Sequence, residues 1–406
     1  MRPAAIGNLT LTPDIVGDDM YQRELVSSDE LDEFEHLLGA SSLRNGTPVG
    51  PSQNPSTELV RRVVHRAEML ACNRYAVGIE LLPHRMIGAL VDEYGRRLAD
   101  HQLPLDDANV PTVVDAAASL VASLLRSVPG GHTLQDRVAV GFQLGGPVDT
   151  ETGTVLFFRK VPPDAERVER GIRWEDSQPL GRLLESAIGL PTVVENDSNA
   201  YAVFQQWFGV GREVSRFAVV LIREGVGAAL FLGGRLFDGP MELGNLVVFP
   251  ESGRMCDCGN FGCLETTGGT SGILDTVHTY TGERVEGVVA AARMAERPDV
   301  GPKARDAFAA AGHANAKGLG FLVNLARPHR LVLYAPAVMV DPDRAAGRAF
   351  LAGVWKFRHY CHAIYGDKTE LVVEPLRPFD GSHGAALVAL ERFYGIRPRT
   401  AVQRSR

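Results

Sequence analysis

Nowhere in the 406 residues is there an apolar run approaching the roughly 18–20 residues that a bilayer-spanning helix needs, so no membrane partner is expected. The opening MRPAAIGNLTLTPDIVGDD has neither a basic start nor a long apolar stretch, so no signal peptide is expected and the cytoplasm is the expected location. A basic excess is lacking too: 42 Lys and Arg face 49 Asp and Glu, for a formal net charge of −7. Nucleic acid is therefore not the obvious partner on charge alone. Cysteine is scarce, and the five are Cys72, Cys256, Cys258, Cys263 and Cys361. Three of them fall between positions 256 and 263, which in a reducing compartment points to a metal rather than to disulfides.

What is present is ordinary globular composition, 45% hydrophobic and 22% charged. The length exceeds the roughly 250–300 residues that one core usually serves, so two domains are expected. Residues 1–56 stand apart, with nine acids against three bases. They read as an acidic extension, with a short helix over 29–38 and a linker at Asn45–Thr57. A helix is expected over 58–71, where Leu59, Val63 and Ala67 recur at helical spacing.

From Tyr75 the pattern becomes α/β. YAVGIELL is an apolar strand, and IGALVDEYGRRLADHQL is two more strands around a turn at Glu93–Gly95. VVDAAASLVASLLRSV reads as a helix, and RVAVGFQLGG as a strand ending in glycines. A similar order follows. TVVENDSNAYAVFQQWFG runs from strand to helix, FAVVLIREGVGAALFLGGRLFDG is a strand pair, ANAKGLGFLVNLARP a helix, RLVLYA a strand and HGAALVALERFYG a closing helix. The expectation is two α/β lobes of similar design facing a cleft. The first spans 57–192 and is joined by the last helix, 381–395; the second spans 193–380.

The segment GRMCDCGNFGCLE sets Cys256, Cys258 and Cys263 at C-x-C-x4-C spacing with glycines at 259 and 262. Tight glycine turns let three thiolates converge on one ion, and zinc takes four such ligands in a tetrahedron. Three thiols at this spacing favour a metal over buried hydrophobes. No histidine lies between 225 and 277 to serve as the fourth ligand.

Together with the ELGN run from Glu242, this cluster resembles the signature of the ROK (repressor, open reading frame, kinase) family, a Glu-x-Gly-His motif followed by C-x-C-G-x-x-G-C-x-E. GFQLGGPVD, GLPTVVENDSNAYA, GVGAALFLGGRLFDG and HGAALVAL are similar to further family segments, so the likeness runs from about Tyr75 to Gly395. The resemblance implies an actin/hexokinase-like pair of lobes around a nucleotide and sugar cleft, a dimer or larger homo-oligomer, and a sugar, amino sugar or cyclitol-like ligand. It assigns Asp197 as the base that accepts the sugar hydroxyl proton in family kinases, a task suited to a carboxylate. It assigns Asn196, Glu242 and Glu265 to sugar hydroxyls, Gly146 to the glycine-rich segment beside them, and Cys256, Cys258 and Cys263 to zinc.

The departures from the family pattern are as informative. Asn245 stands where family kinases have a histidine shared by sugar and zinc, and GIRWED offers no asparagine before Trp174. The phosphate hairpin Asp-x-Gly-Gly-Thr is replaced by Glu80, Leu81, Leu82, Pro83, His84 and Arg85. Bulky side chains and a proline without an N–H suit phosphate poorly. The second loop, Gly-Thr-Gly in the family, reads Arg223-Glu224-Gly225, and Ala335-Pro336 replaces the adenine-side glycines. Mg-ATP binding is not expected. The chain thus reads as nearest to the non-kinase, repressor-type members, although residues 1–75 show no recognisable DNA-binding helix-turn-helix. The leading expectation is a sugar-like-ligand sensor or regulator. The alternatives are a carbohydrate or cyclitol kinase with an unusual nucleotide site, and a repressor with a divergent DNA reader.

Overall fold

A computed structural model describes residues 74–398, apart from residues 106, 129–134, 161–171, 175, 238–240 and 252–253. The expected helices over 29–38 and 58–71 lie outside the described residues. The strands are β1 (Tyr75–Leu82), β2 (Arg85–Asp92), β3 (Arg97–Pro104), β4 (Val138–Leu144), β5 (Val148–Asp149), β6 (Thr154–Val155), β7 (Phe158–Lys160), β8 (Ile172–Trp174) and β9 (Thr192–Asn196). They continue as β10 (Arg216–Ile222), β11 (Val226–Leu232), β12 (Arg235–Leu236), β13 (Arg330–Ala335) and β14 (Glu370–Pro375).

Ten of them form two five-stranded sheets with the same plan. The first runs β3-β2-β1-β4-β9 and the second β12-β11-β10-β13-β14. In each, an antiparallel hairpin leads into strands that join in parallel, β1 with β4 and then β9, β10 with β13 and then β14. Sequence dictates which strands lie inside. β1 and β4 are apolar almost throughout and buried on both faces, whereas RLADHQLP of β3 is charged and exposed, as an edge strand should be.

The last helix, Asp380–Tyr394, packs on the first sheet. It does so backbone against backbone. A Cβ on Gly141 of β4 would lie 1.9 Å from the Ala385 carbonyl oxygen, and one on Gly78 of β1 would lie 1.8 Å from that of Ser382. Only glycine permits that approach. On its other side Gly384 meets the helix Asp197–Phe208, where an added Cβ would come within 2.2 Å of the Ala200 carbonyl. These two helices lie between the sheets. A core cluster there joins Ala76, Ala139 and Val193 of the first sheet to Val219, Phe231 and Val332 of the second through Tyr201, Trp207, Ala386 and Leu390. Two further cores fill the outer layers of the lobes. No helix of the described residues is long and apolar enough to cross a membrane.

Candidate functional site

Between the sheets opens a cavity of about 920 Å³. Gly146, Asn196, Asp197, Glu242, Asn245, Cys256, Cys258 and Glu265 all line it. Residues that the sequence spreads over 120 positions therefore share one wall, and Cys263 lies fully buried behind them.

Asn196 ends β9 and caps the helix Asp197–Phe208. Its backbone is extended (φ −69°, ψ 145°) and its Oδ1 accepts from the Ser198 N–H at 2.9 Å. Its Nδ2 donates to the Gly146 carbonyl at 2.9 Å, pinning the glycine loop after β4 to the start of the helix. Asp197 is the first helical residue, 8% exposed, with Oδ1 accepting from the Ser198 N–H at 2.8 Å. Glu242 precedes a short 3-10 turn, Leu243–Asn245. Burial, and then the negative charges of Glu265 and Asp197, push its carboxyl above the usual range.

The cysteine segment folds as a small knuckle. The Cys256 N–H donates to the Asn260 carbonyl at 2.8 Å and the Gly259 N–H to the Cys256 carbonyl at 2.9 Å. Gly259 (φ 88°) and Gly262 (φ 72°) take the left-handed conformations that the turn needs. The three Sγ atoms lie within 4.8 Å of one another, and Cys258 and Cys263 are 3.6 Å apart. Thiolates at about 2.3 Å from a tetrahedral zinc stand about 3.8 Å apart, so this donor set fits such an ion. Cys256 Sγ is 2.9 Å from Glu265 Oε1, and Asn245 Nδ2 donates to both, at 3.4 and 3.3 Å. Burial and the hydrogen bond to Glu265 push the Cys256 thiol far up. Burial also raises Cys258, but hydrogen bonds from the Asn260 backbone and the neighbouring cysteines outweigh it and leave that thiol below its ordinary value.

Arg223, in the turn after β10, also lines the cavity. Its guanidinium forms an ion pair with Glu80 of β1, donates to the Tyr201 hydroxyl at 3.0 Å and lies 5.6 Å over that ring. The two side chains are 16% and 3% exposed. Burial works against the charge on Arg223, and Glu80 with the nearby negative groups outweighs it, so the guanidinium stays protonated. Gln143 of β4, opposite Glu80 in register, is 1% exposed, and neither of its side-chain amide atoms has a partner.

The sequence drew attention to Glu80 and Arg223 separately but not to their union. A lone acid in an otherwise apolar strand was the available signal, since buried carboxylates are rare without a partner. Arg254 and Asp275 also line the cavity without having been singled out. Trp174 turns away from it: its Nε1 donates to the Ala108 carbonyl at 3.0 Å within the first lobe's core. His84, at the turn between β1 and β2, and Arg85, which opens β2, are exposed.

The family model described as ROK family matches residues 76–342. A glucokinase of Streptomyces coelicolor is 30% identical over 193 residues, 47% of this chain and 54% of that protein. The DNA-binding transcriptional dual regulator NagC of Escherichia coli is 28% identical over 205 residues, 50% of this chain and 47% of that protein. The chain thus spans about half the length of these relatives. Among solved structures, a ROK hexokinase from Thermus thermophilus superposes with a TM-score of 0.62 at 24% identity, covering 79% of this chain and 99% of that one.

Proposed function

Because the chain belongs to the ROK family and has its actin/hexokinase-like fold, we propose that it binds a sugar, amino sugar or cyclitol-like ligand as a sensor or regulator, without using ATP. The observation that carries this reading is the buried Glu80–Arg223 pair. Glu80, near the end of β1, and Arg223 stand in the two segments that the family resemblance assigns to the nucleotide's phosphates. Here those segments are tied to each other by their own charges. A nucleotide seated between them would have to break this buried ion pair, and leaving one member of such a pair unpartnered typically costs about 3–5 kcal/mol. Pro83 withholds one N–H from the first loop, and Glu224 adds a further carboxylate to the cavity wall at the second.

The ligand end of the cavity is equipped for hydroxyl groups. Glu242 and Glu265 offer carboxylate oxygens, and Asp197 a third at the start of its helix. Closure of the two lobes on the ligand is the proposed output. Cys256, Cys258 and Cys263 hold a zinc ion that stiffens the Glu265 side of the wall.

Asp197 itself favours a second reading, a carbohydrate or cyclitol kinase. Under it, Asp197→Asn abolishes phosphoryl transfer and leaves ligand binding nearly intact. One calorimetric experiment separates the two: Mg-ATP titrated into the full chain with and without a panel of sugars, amino sugars and cyclitols. Heat from one member of the panel and none from Mg-ATP is expected. Saturable Mg-ATP binding that tightens with a panel member would overturn the sensor reading in favour of the kinase.

A further inference from the structure

The cavity has two unlike walls. The described residues that the loops beyond β4 and β6 give to it are Gly145, Gly146, Pro147 and Phe157. None of these side chains can make a hydrogen bond. Asn196 beside them is already engaged at both ends of its amide, Oδ1 by the Ser198 N–H and Nδ2 by the Gly146 carbonyl. Asp197, Glu242 and Glu265 supply the wall that can hold hydroxyl groups.

Phe157 is 37% exposed, and its backbone is held close to the glycine loop. A Cβ on Gly146 would lie 2.8 Å from the Phe157 carbonyl oxygen, and the Leu156 N–H donates to the Pro147 carbonyl at 3.0 Å. The loop that Asn196 pins therefore carries the ring with it. From the knuckle comes Met255, 70% exposed and also on the cavity wall. It precedes Cys256, whose Sγ is 2.9 Å from Glu265 Oε1. Phe261, 52% exposed, pairs with Met255 across the knuckle in an antiparallel bridge, which sets the two side chains on one face. Single exposed apolar side chains are ordinary. Here an aromatic ring from one lobe and a thioether from the other share a cavity with the carboxylates. At about 920 Å³ that cavity stands near the top of the roughly 300–1,000 Å³ spanned by pockets for drug-sized ligands, more than one sugar ring fills.

We propose that Phe157 and Met255 form an apolar subsite beside the carboxylates, and that the ligand is a glycoside whose sugar ring sits on Asp197, Glu242 and Glu265 and whose apolar aglycone sits between the two side chains. This rests on the sugar-ligand reading given above. Attachment at the anomeric carbon leaves the other hydroxyls of the ring free for the carboxylates, so each half of the ligand matches one wall. The Phe157 ring offers a flat face, and the flexible thioether of Met255 adapts to the outline of what lies on it. An aglycone held by both lobes also couples its buried apolar area to their closure.

The test is calorimetry on the full chain with the free, methyl and phenyl forms of glucose, galactose, glucosamine and N-acetylglucosamine. The phenyl glycoside of one of these sugars should bind about tenfold or more tighter than its methyl glycoside, with a more negative heat-capacity change. Phe157→Ala and Met255→Ala should each cut that ratio to about threefold or less. A general loss of stability weakens both glycosides alike and leaves the ratio unmoved. Binding of free or methyl forms with no gain from the phenyl group, or a gain that both substitutions leave intact, would overturn the apolar subsite while leaving the sugar reading standing. No heat from any of these compounds or from the wider panel of sugars and cyclitols would remove the sugar reading and this inference with it.

Discussion

Arg223 and Glu80 are the residues on which the functional reading turns, and their burial makes them open to test. Removing one member of a buried ion pair leaves the other charged and unpaired, at a typical cost of about 3–5 kcal/mol. Arg223→Ala should therefore destabilise the chain by about that much in urea unfolding, whereas the double replacement by leucines should recover most of it. A loss that the double replacement does not recover would mean that packing, not charge, holds the position. His383 and Asp380 give a second residue-scale test. Burial lowers His383 to about 4, and its Nε2 lies 2.7 Å from the Gly95 carbonyl. Burial raises Asp380 to about 7, with Glu80 and Glu374 adding to the shift against Arg377. The stability due to neutral His383 is full above its unfolded value of about 6.5 and is lost as pH falls through about 4. That due to protonated Asp380 is full below about 3.9 and is lost as pH rises through about 7. The two slopes oppose each other over nearly the same interval, each amounting to roughly 3–4 kcal/mol. His383→Asn should leave stability falling from pH 4 to 7, and Asp380→Asn should leave it rising. Identical pH profiles for the two variants would refute the assignment.

At the scale of elements, the last helix depends on glycine in the strands beneath it. Gly141→Ala places a methyl 1.9 Å from a backbone carbonyl that cannot move alone. It should cost at least the roughly 1–3 kcal/mol usual for overpacking, measured as a shift in denaturation midpoint at unchanged slope. The hairpin, helix and strand order of each lobe was legible because it is written in local periodicity: continuous apolar runs for β1, β4 and β10, and polar RLADHQLP for the edge β3. The candidate site was read from segments that resemble the family, ENDSNAYA, ELGN and the cysteine cluster, rather than from periodicity. What periodicity could not show was contact across distance. Glu80 and Arg223 are 143 positions apart, and nothing local in either segment says that they meet. The close approach of Gly141 to Ala385 is hidden for the same reason, since a strand glycine reads equally as a bulge or a contact.

For the whole molecule, both sheets repeat one plan, and the cavity lies where the two copies face each other. The acidic residues 1–56 bear on the rival regulatory reading, in which that region reads DNA. Phosphate contacts need Lys and Arg, and this segment carries nine acids against three bases. Fluorescence anisotropy with duplex DNA at low salt should show no binding that deletion of residues 1–56 abolishes; salt-sensitive binding lost with that deletion would favour the repressor. The seat of the last helix has a consequence for how the chain is made. Its residues complete the buried face of β1 and β4, which leave the ribosome some 300 and 240 residues earlier. The first lobe must therefore wait, with apolar strands uncovered, until that helix has been made. Nascent chains halted before position 380 should be the ones that chaperones hold and proteases clear.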